Sequence, residues 1–162
     1  MTTSEISHLV AEAGHAARRA APRLAAAPDD AVTAALDGIR ARLTAASGPV
    51  LDANAADVAA LDPAFPDAMR DRLRLDEGRL AAMAQQIEIL SATPFPDPVV
   101  ATRELPGGLR MQERRRPVGV IGANYEARPN VTVDVASQLL KSRNAGVLRT
   151  GGAALRSAEA LV

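Results

Sequence analysis

Apolar residues recur every three or four positions through about the first ninety residues, the period of amphipathic helices. Between Ser4 and Ala27 the spacing is carried by Ile6, Leu9, Val10 and Ala13. Pro28-Asp29-Asp30 breaks this run and caps the next, Ala31 to Ala46, with Val32, Leu36, Ile39 and Leu43. Ser47-Gly48-Pro49 interrupts, and a third helix runs from Val50 to Leu61. Asp62 to Pro66 is a loop, and Ala68 to Leu75 a short helix. Asp76 then caps a helix with Leu80, Met83, Ala84, Ile87 and Leu90 on one face. This part reads as a helical layer whose Ala-rich faces suit close packing, with no catalytic constellation.

The period changes after Thr93 to Pro98, a linker with three prolines. Val99 to Leu105 and Leu109 to Arg116 flank Pro106-Gly107-Gly108, which predicts a β-hairpin. A short apolar strand, Pro117 to Ala123, leads into the polar turn Asn124-Tyr125-Glu126-Ala127-Arg128-Pro129-Asn130. An amphipathic segment from Val131 to Lys141 follows. A second apolar run, Ala145 to Leu148, ends at Arg149-Thr150-Gly151-Gly152, with a helix starting near Ala153. Strand, helix and strand make a βαβ unit of a parallel sheet, so the class is α/β. Ligands meet such sheets at the carboxyl ends of the strands. Both polar turns sit there, and they crowd Arg, Asn, Tyr and Glu where a plain connection needs only Gly and Ser.

Composition narrows the picture. With 162 residues, 48% hydrophobic and 23% charged, the chain can bury a core as one globular domain. Aromatics are 2%, namely Phe65, Phe95 and Tyr125, which leaves no platform for stacking bases. The net charge is zero, so no bulk attraction to nucleic acid or anionic membrane is expected. The absence of cysteine excludes disulfides, Cys-type zinc sites and thiol catalysis by these residues. No signal pattern or membrane-length apolar run is seen, so a soluble cytoplasmic protein is the default. His8 and His15 lack a third ligand and read as a solvated helix face, so no metal is expected. Asn54 and Asp57 read as solvated helix groups or a local cap. Asp71 with Arg72 and Arg74 could bind an anion, though an internal salt bridge anchoring a helix is commoner, and Arg114-Arg115-Arg116 could meet a phosphate but more often is a solvated strand end that blunts edge pairing. Lys141 suits the dipole at the end of its own helix.

The run GVIG-x-x-YEARPNVT, followed by LKS-x-NA-x-x-LR-x-G, resembles gamma-glutamyl phosphate reductase (glutamate-5-semialdehyde dehydrogenase), of the aldehyde dehydrogenase superfamily. Weaker matches lie upstream at Leu51 to Asp57, Asp71 to Leu75 and Pro106 to Leu109, so the resemblance covers nearly the whole chain but only the amino-terminal portion of the family's length. It implies an aldehyde-dehydrogenase-like fold in three parts. Residues 1–98 form the helical layer, 99–116 a hairpin ribbon for subunit contact and hence a homo-oligomer, and 117–162 the start of an NADPH-binding βαβ domain. The implied reaction is NADPH-dependent reduction of L-glutamyl 5-phosphate to L-glutamate 5-semialdehyde and phosphate in proline biosynthesis, with glutamate 5-kinase as a partner. The family's nucleophilic cysteine belongs to a later catalytic domain, so this chain alone is not expected to be active. The alternative is a non-catalytic nucleotide-binding or subunit-partner protein of the same family.

The resemblance also assigns residues. Asn130 stands where the superfamily has an Asn whose amide faces the developing oxyanion; read locally, Asn130 caps the helix from Val131, and both can hold. Arg128 suits bidentate contact with a substrate carboxylate or phosphate, or an ion pair with Glu126. At Arg149 the superfamily has a Lys contacting the cofactor's adenosine ribose, and an Arg suits the 2′-phosphate of NADPH; the local reading is a surface Arg at a strand end. Thr150, Gly151 and Gly152 let a ligand approach backbone amides. No G-x-G-x-x-G occurs, and Tyr125 suits packing. The chain departs from the family pattern at Asn124, usually apolar, at Arg143, usually Gly, and at Thr150 and Ala153.

Overall fold

The first helix, α1 (Thr3–Ala25), opens with a capping box: Thr2 Oγ1 accepts from Glu5 N at 3.3 Å while Glu5 Oε2 accepts from Thr2 N at 2.6 Å. The computed structural model describes residues 2–162. The apolar stripe of α1 is not core. Ile6, Leu9 and Val10 are 49%, 52% and 62% exposed, and of the helix only Ala17 is buried.

Helices α2 (Asp29–Ala45), α3 (Ser47–Ala59), α4 (Asp67–Leu73) and α5 (Glu77–Ala92) complete the helical layer. Two boundaries differ from expectation. No side chain caps α2; Pro28 precedes it, and Asp29 and Asp30 lie in its first turn, where carboxylates favour the helix dipole. Ser47-Gly48-Pro49 does not interrupt but forms the first turn of α3, where proline's missing N–H is harmless. Asp76 caps α5 as expected, accepting from Arg79 N at 2.8 Å. Val32, Leu36, Leu43, Val50, Leu75, Leu80, Met83 and Ile87 pack into one core, which Val133 joins from the βαβ unit.

The expectation for Asn54 and Asp57 is overturned. They are 2% and 3% exposed. Asn54 Nδ2 donates to Leu73 O at 2.9 Å and to Ser157 Oγ at 3.0 Å, and its Oδ1 accepts from Leu75 N at 2.7 Å. Asp57 Oδ2 accepts from Ser157 N at 2.8 Å and Oγ at 2.7 Å, with Arg156 Nη1 3.4 Å from Oδ1. Helical spacing could not show this, because the partners lie 19 to 103 residues away.

Strands β1 (Val99–Leu105) and β2 (Leu109–Arg114) pair antiparallel, Leu105 opposite Leu109. Proline fixes φ at Pro106 and Gly107 takes φ 88°, the pattern of a type II turn, closed by Gly108 N to Leu105 O at 3.2 Å. Arg115 ties the base of this ribbon through Asp97 O at 2.9 Å, so the arginine run is a strand end as expected. Strands β3 (Val120–Asn124) and β4 (Ala145–Arg149) pair parallel, joined by α6 (Pro129–Lys141). A 3₁₀ turn, Gly152–Ala154, leads to α7 (Leu155–Leu161). Helices α1 and α6 both lie against the β3–β4 pair, and α6 also packs on α5.

The carboxyl end of α6 is held from outside. Arg143 N donates to Leu140 O at 3.0 Å and Asn144 N to Leu139 O at 2.8 Å, a Schellman closure. This places Arg143 at φ 56°, where glycine is preferred. The arginine is retained by what it reaches: Nε donates to Ala27 O at 2.8 Å, Nη2 pairs with Asp29, and the guanidinium lies 4.7 Å from the Phe95 ring centre. Lys141 does more than face its own helix dipole. Its Nζ donates to Ser91 O at 3.2 Å and Thr93 O at 2.6 Å, over the Phe95 ring at 3.8 Å, and so finishes α5.

Two stability measurements test these joints. Asn54→Ala, which strands the Leu75 N–H, should lower unfolding stability by about 2–4 kcal/mol in urea denaturation. A loss below about 0.5 kcal/mol would return Asn54 to solvent. Arg143→Ala and Arg143→Gly both remove the clamp, but only glycine relieves the left-handed backbone. Alanine should therefore be the less stable of the two by about 1 kcal/mol, and equal stabilities would show no backbone strain.

Candidate functional site

The parallel register sets Asn124 beside Arg149, so both strands end at one edge. Tyr125 N extends the ladder to Arg149 O at 3.1 Å. The chain then folds back on itself through Arg128 N to Glu126 O at 2.7 Å, and proline at the first helical position starts α6. Tyr125 Oη bonds Thr132 Oγ1 at 2.9 Å and braces the turn, the packing role expected of it.

Asn130 is not the helix cap. The helix begins one residue before it, Arg128 occupies the capping position, and no side chain caps the first turn. Among the described residues, the Asn130 amide makes no hydrogen bond. It borders a cavity of about 350 Å³ between α4, the start of α5 and the start of α6, together with Arg72, Arg74, Arg79, Arg128 and Asp134.

The charges of this cavity divide into paired and unpaired. Glu126 holds two arginines, Arg128 Nε at 2.6 Å and Arg72 Nη1 at 3.7 Å. The Arg128 N–H is not aligned on that carboxylate, and Nε is a buried donor without a true hydrogen bond. Arg79 pairs with Asp71 at 2.8 Å and also donates to Arg74 O at 2.6 Å. Arg74 and Asp134 are in no ion pair among the described residues. Burial pushes the Asp134 carboxyl above its ordinary value of 3.8. Asp134, which sequence reasoning passed over, lies four residues after Asn130 on the same helix face.

The residues expected at the cofactor lie apart, at the neighbouring strand end. Arg149 Nη1 donates to Asn124 Oδ1 at 3.0 Å, which gives one departure from the family pattern a partner. Thr150 Oγ1 is buried with no hydrogen-bond partner. A Cβ on Gly151 would stand 2.9 Å from Ala127 N, so only glycine lets the two polar turns pack this closely. Among the described residues, no cluster of three metal-ligating side chains occurs, and no helix is long and apolar enough to cross a membrane. His8 meets only Glu12, at 3.4 Å on an exposed face.

Asp134 yields a prediction with a definite sign. A carboxyl whose folded pKa is raised contributes stability that is complete below the unfolded value of 3.8 and lost as pH rises through the folded one. Asp134→Asn removes that loss. In urea denaturation from about pH 4 to about pH 7, the variant should match wild type near the acid end and exceed it near neutrality. A variant less stable at neutrality would mean that the carboxylate has a cationic partner in the free protein.

No family model matches the chain. Individual relatives do. The gamma-glutamyl phosphate reductase of Chloroflexus aggregans is 46% identical over 149 residues, covering 91% of this chain and 35% of that protein. That of Deinococcus radiodurans is 45% identical over 156 residues, covering 94% and 36%. The crystal structure of the Thermotoga maritima enzyme superposes with a TM-score of 0.88 at 33% identity, covering 93% of this chain and 37% of that one. The Saccharomyces cerevisiae enzyme superposes with a TM-score of 0.87 at 27% identity, covering 99% and 40%. The chain thus spans little more than a third of the length of the relatives it matches. On sequence and fold together, the chain belongs to the gamma-glutamyl phosphate reductase family, as a match to the amino-terminal portion of its members.

Proposed function

We propose that this chain serves NADPH-dependent reduction of L-glutamyl 5-phosphate to L-glutamate 5-semialdehyde and phosphate, a step of proline biosynthesis in the cytoplasm. The reading is carried by one observation: Asn130 presents an uncommitted amide at an uncapped helix start, on the wall of an arginine-lined cavity. An acyl phosphate under attack develops negative charge on its carbonyl oxygen. An amide N–H and the positive end of a helix favour that charge most in the transition state. In this reading Asn130 donates to that oxygen, and Arg128, on the same cavity wall, takes a substrate oxyanion. The thiolate that this chemistry uses comes from outside this cysteine-free chain.

Bound NADPH would supply hydride to the acyl carbon. The residues at the second strand end fit its adenosine portion. Arg149 offers a guanidinium for a 2′-phosphate, Thr150 a buried hydroxyl lacking a partner, and Gly151 a backbone without a side chain in the way. The 1–98 layer, 99–116 ribbon and 117–162 unit then divide the work. The ribbon is exposed through all of β2 and from Thr102 onward in β1, with Leu105, Leu109 and Met111 open. A two-stranded ribbon is weak alone, which favours a contact with a second subunit. Glutamate 5-kinase, which makes the acyl phosphate, is proposed as a partner on the resemblance.

The test uses the full-length enzyme. Asn130→Ala should lower turnover about a hundredfold or more, with NADPH affinity changed only a few fold. Arg149→Ala should weaken NADPH more than NADH. Unchanged turnover would remove Asn130 from the reaction, and equal weakening of both cofactors would remove Arg149 from the 2′-phosphate.

A further inference from the structure

The cavity beside Asn130 holds one cation and one anion that the fold leaves unmatched. Arg72 and Arg128 share Glu126, and Arg79 has Asp71. Arg74 and Asp134 line the same cavity and are in no ion pair among the described residues. A free anion or a free phosphate would match Arg74 and be repelled by Asp134. A simple cation would do the reverse. A ligand that carries both charges on one centre matches both.

We infer that Arg74 and Asp134 form a recognition site for the zwitterionic head of an α-amino acid, Arg74 taking the α-carboxylate and Asp134 the α-ammonium. The inference rests on the reading of Asn130 as the oxyanion donor and specifies how the substrate is oriented there. Spacing supports it. Asn130 and Asp134 are four residues apart on α6, so their Cβ atoms lie about 5–6 Å apart on one face. In a glutamyl chain, standard bond lengths put the α-nitrogen roughly 5 Å from the reacting acyl carbon. A substrate whose carbonyl meets Asn130 can therefore place its ammonium at Asp134, leaving its carboxylate for the opposite wall. The upward shift of the Asp134 carboxyl pKa by burial agrees, since an ammonium would restore the charge that burial disfavours. A guanidinium is suited to the carboxylate because it can bind both oxygens.

The sequence carried a partial signal. Arg74 belongs to the Asp71-to-Leu75 motif, which an internal salt bridge explained; the structure gives that bridge to Asp71 and Arg79 and leaves Arg74 unpaired. Asp134 is an acid on a face otherwise occupied by Asn130, Val133 and Ser137, of which Val133 and Ser137 are buried.

The experiment compares three aldehydes in the oxidative direction with the full-length enzyme, NADP and inorganic phosphate. These are L-glutamate 5-semialdehyde, 5-oxopentanoate, which lacks the amino group, and 4-aminobutanal, which lacks the carboxylate. Asp134→Asn should raise KM for glutamate semialdehyde about tenfold or more with kcat within about threefold, and leave 5-oxopentanoate little changed. Arg74→Gln should raise KM for both carboxylate-bearing aldehydes and spare 4-aminobutanal. Variants that shift all three aldehydes equally, or none, would overturn the site. Wild-type enzyme inactive on glutamate semialdehyde would overturn the reductase reading and this site with it. Active wild type with unchanged discrimination in the variants would overturn the site alone.

Discussion

A buried carboxamide and a buried carboxylate on α3 hold the two halves of this protein together. Asn54 and Asp57 lie one turn apart and receive Ser157 from the far end of the chain. A buried charge is tolerated only when hydrogen bonds replace its water. Asp57 has Ser157 N–H and O–H, with Arg156 at the rim. Asn54 uses both ends of its amide, and its other partners are the backbones of Leu73 and Leu75. The residues on either side of Leu73 are Arg72 and Arg74, which line the cavity. The same hub therefore docks α7 and sets the position of the cationic wall that faces Asn130.

The opposite end of α6 is secured by a different device. A left-handed Arg143 is an unfavourable backbone state for a residue with a Cβ. It is offset by contacts to Ala27, Asp29 and Phe95, all in the helical layer or its linker. Lys141 adds bonds to the last carbonyls of α5. With its carboxyl end clamped and its start braced by Tyr125 and Pro129, α6 is a rigid carrier for Asn130 and Asp134.

The local chemistry of the turn was legible in the residues. Pro129 and the YEARPNVT run mark a strand that passes into a helix through a polar corner, and the parallel register places Arg149 at the same edge. The state of each side chain there was not. Asn130 could equally be a cap or a free amide from its neighbours alone. The helix start at Pro129 decided between them, because a residue inside the first turn no longer occupies the capping position. For Arg128, the ion pair with Glu126 that its neighbours allowed is formed, with the same carboxylate shared with Arg72.

Periodicity alone determined the order of helices, ribbon and βαβ unit, because apolar spacing of 3.6 or 2 is a local property of each element. It also determined the Asp76 cap and the glycine turn of the ribbon, which depend on residues within a few positions of each other. Tertiary structure decided everything that joins distant segments. The stripe of α1 repeats at helical spacing like that of α2, yet it stays open while α2 is core. Asn54 and Asp57 look like solvated polar positions, yet they are the most enclosed polar joint between the halves. Arg74 and Asp134 come to the wall of one cavity only because the residue after α4 packs opposite α6. Spacing along a chain records which face a residue occupies; what lies opposite that face is settled only when the other segments have packed against it.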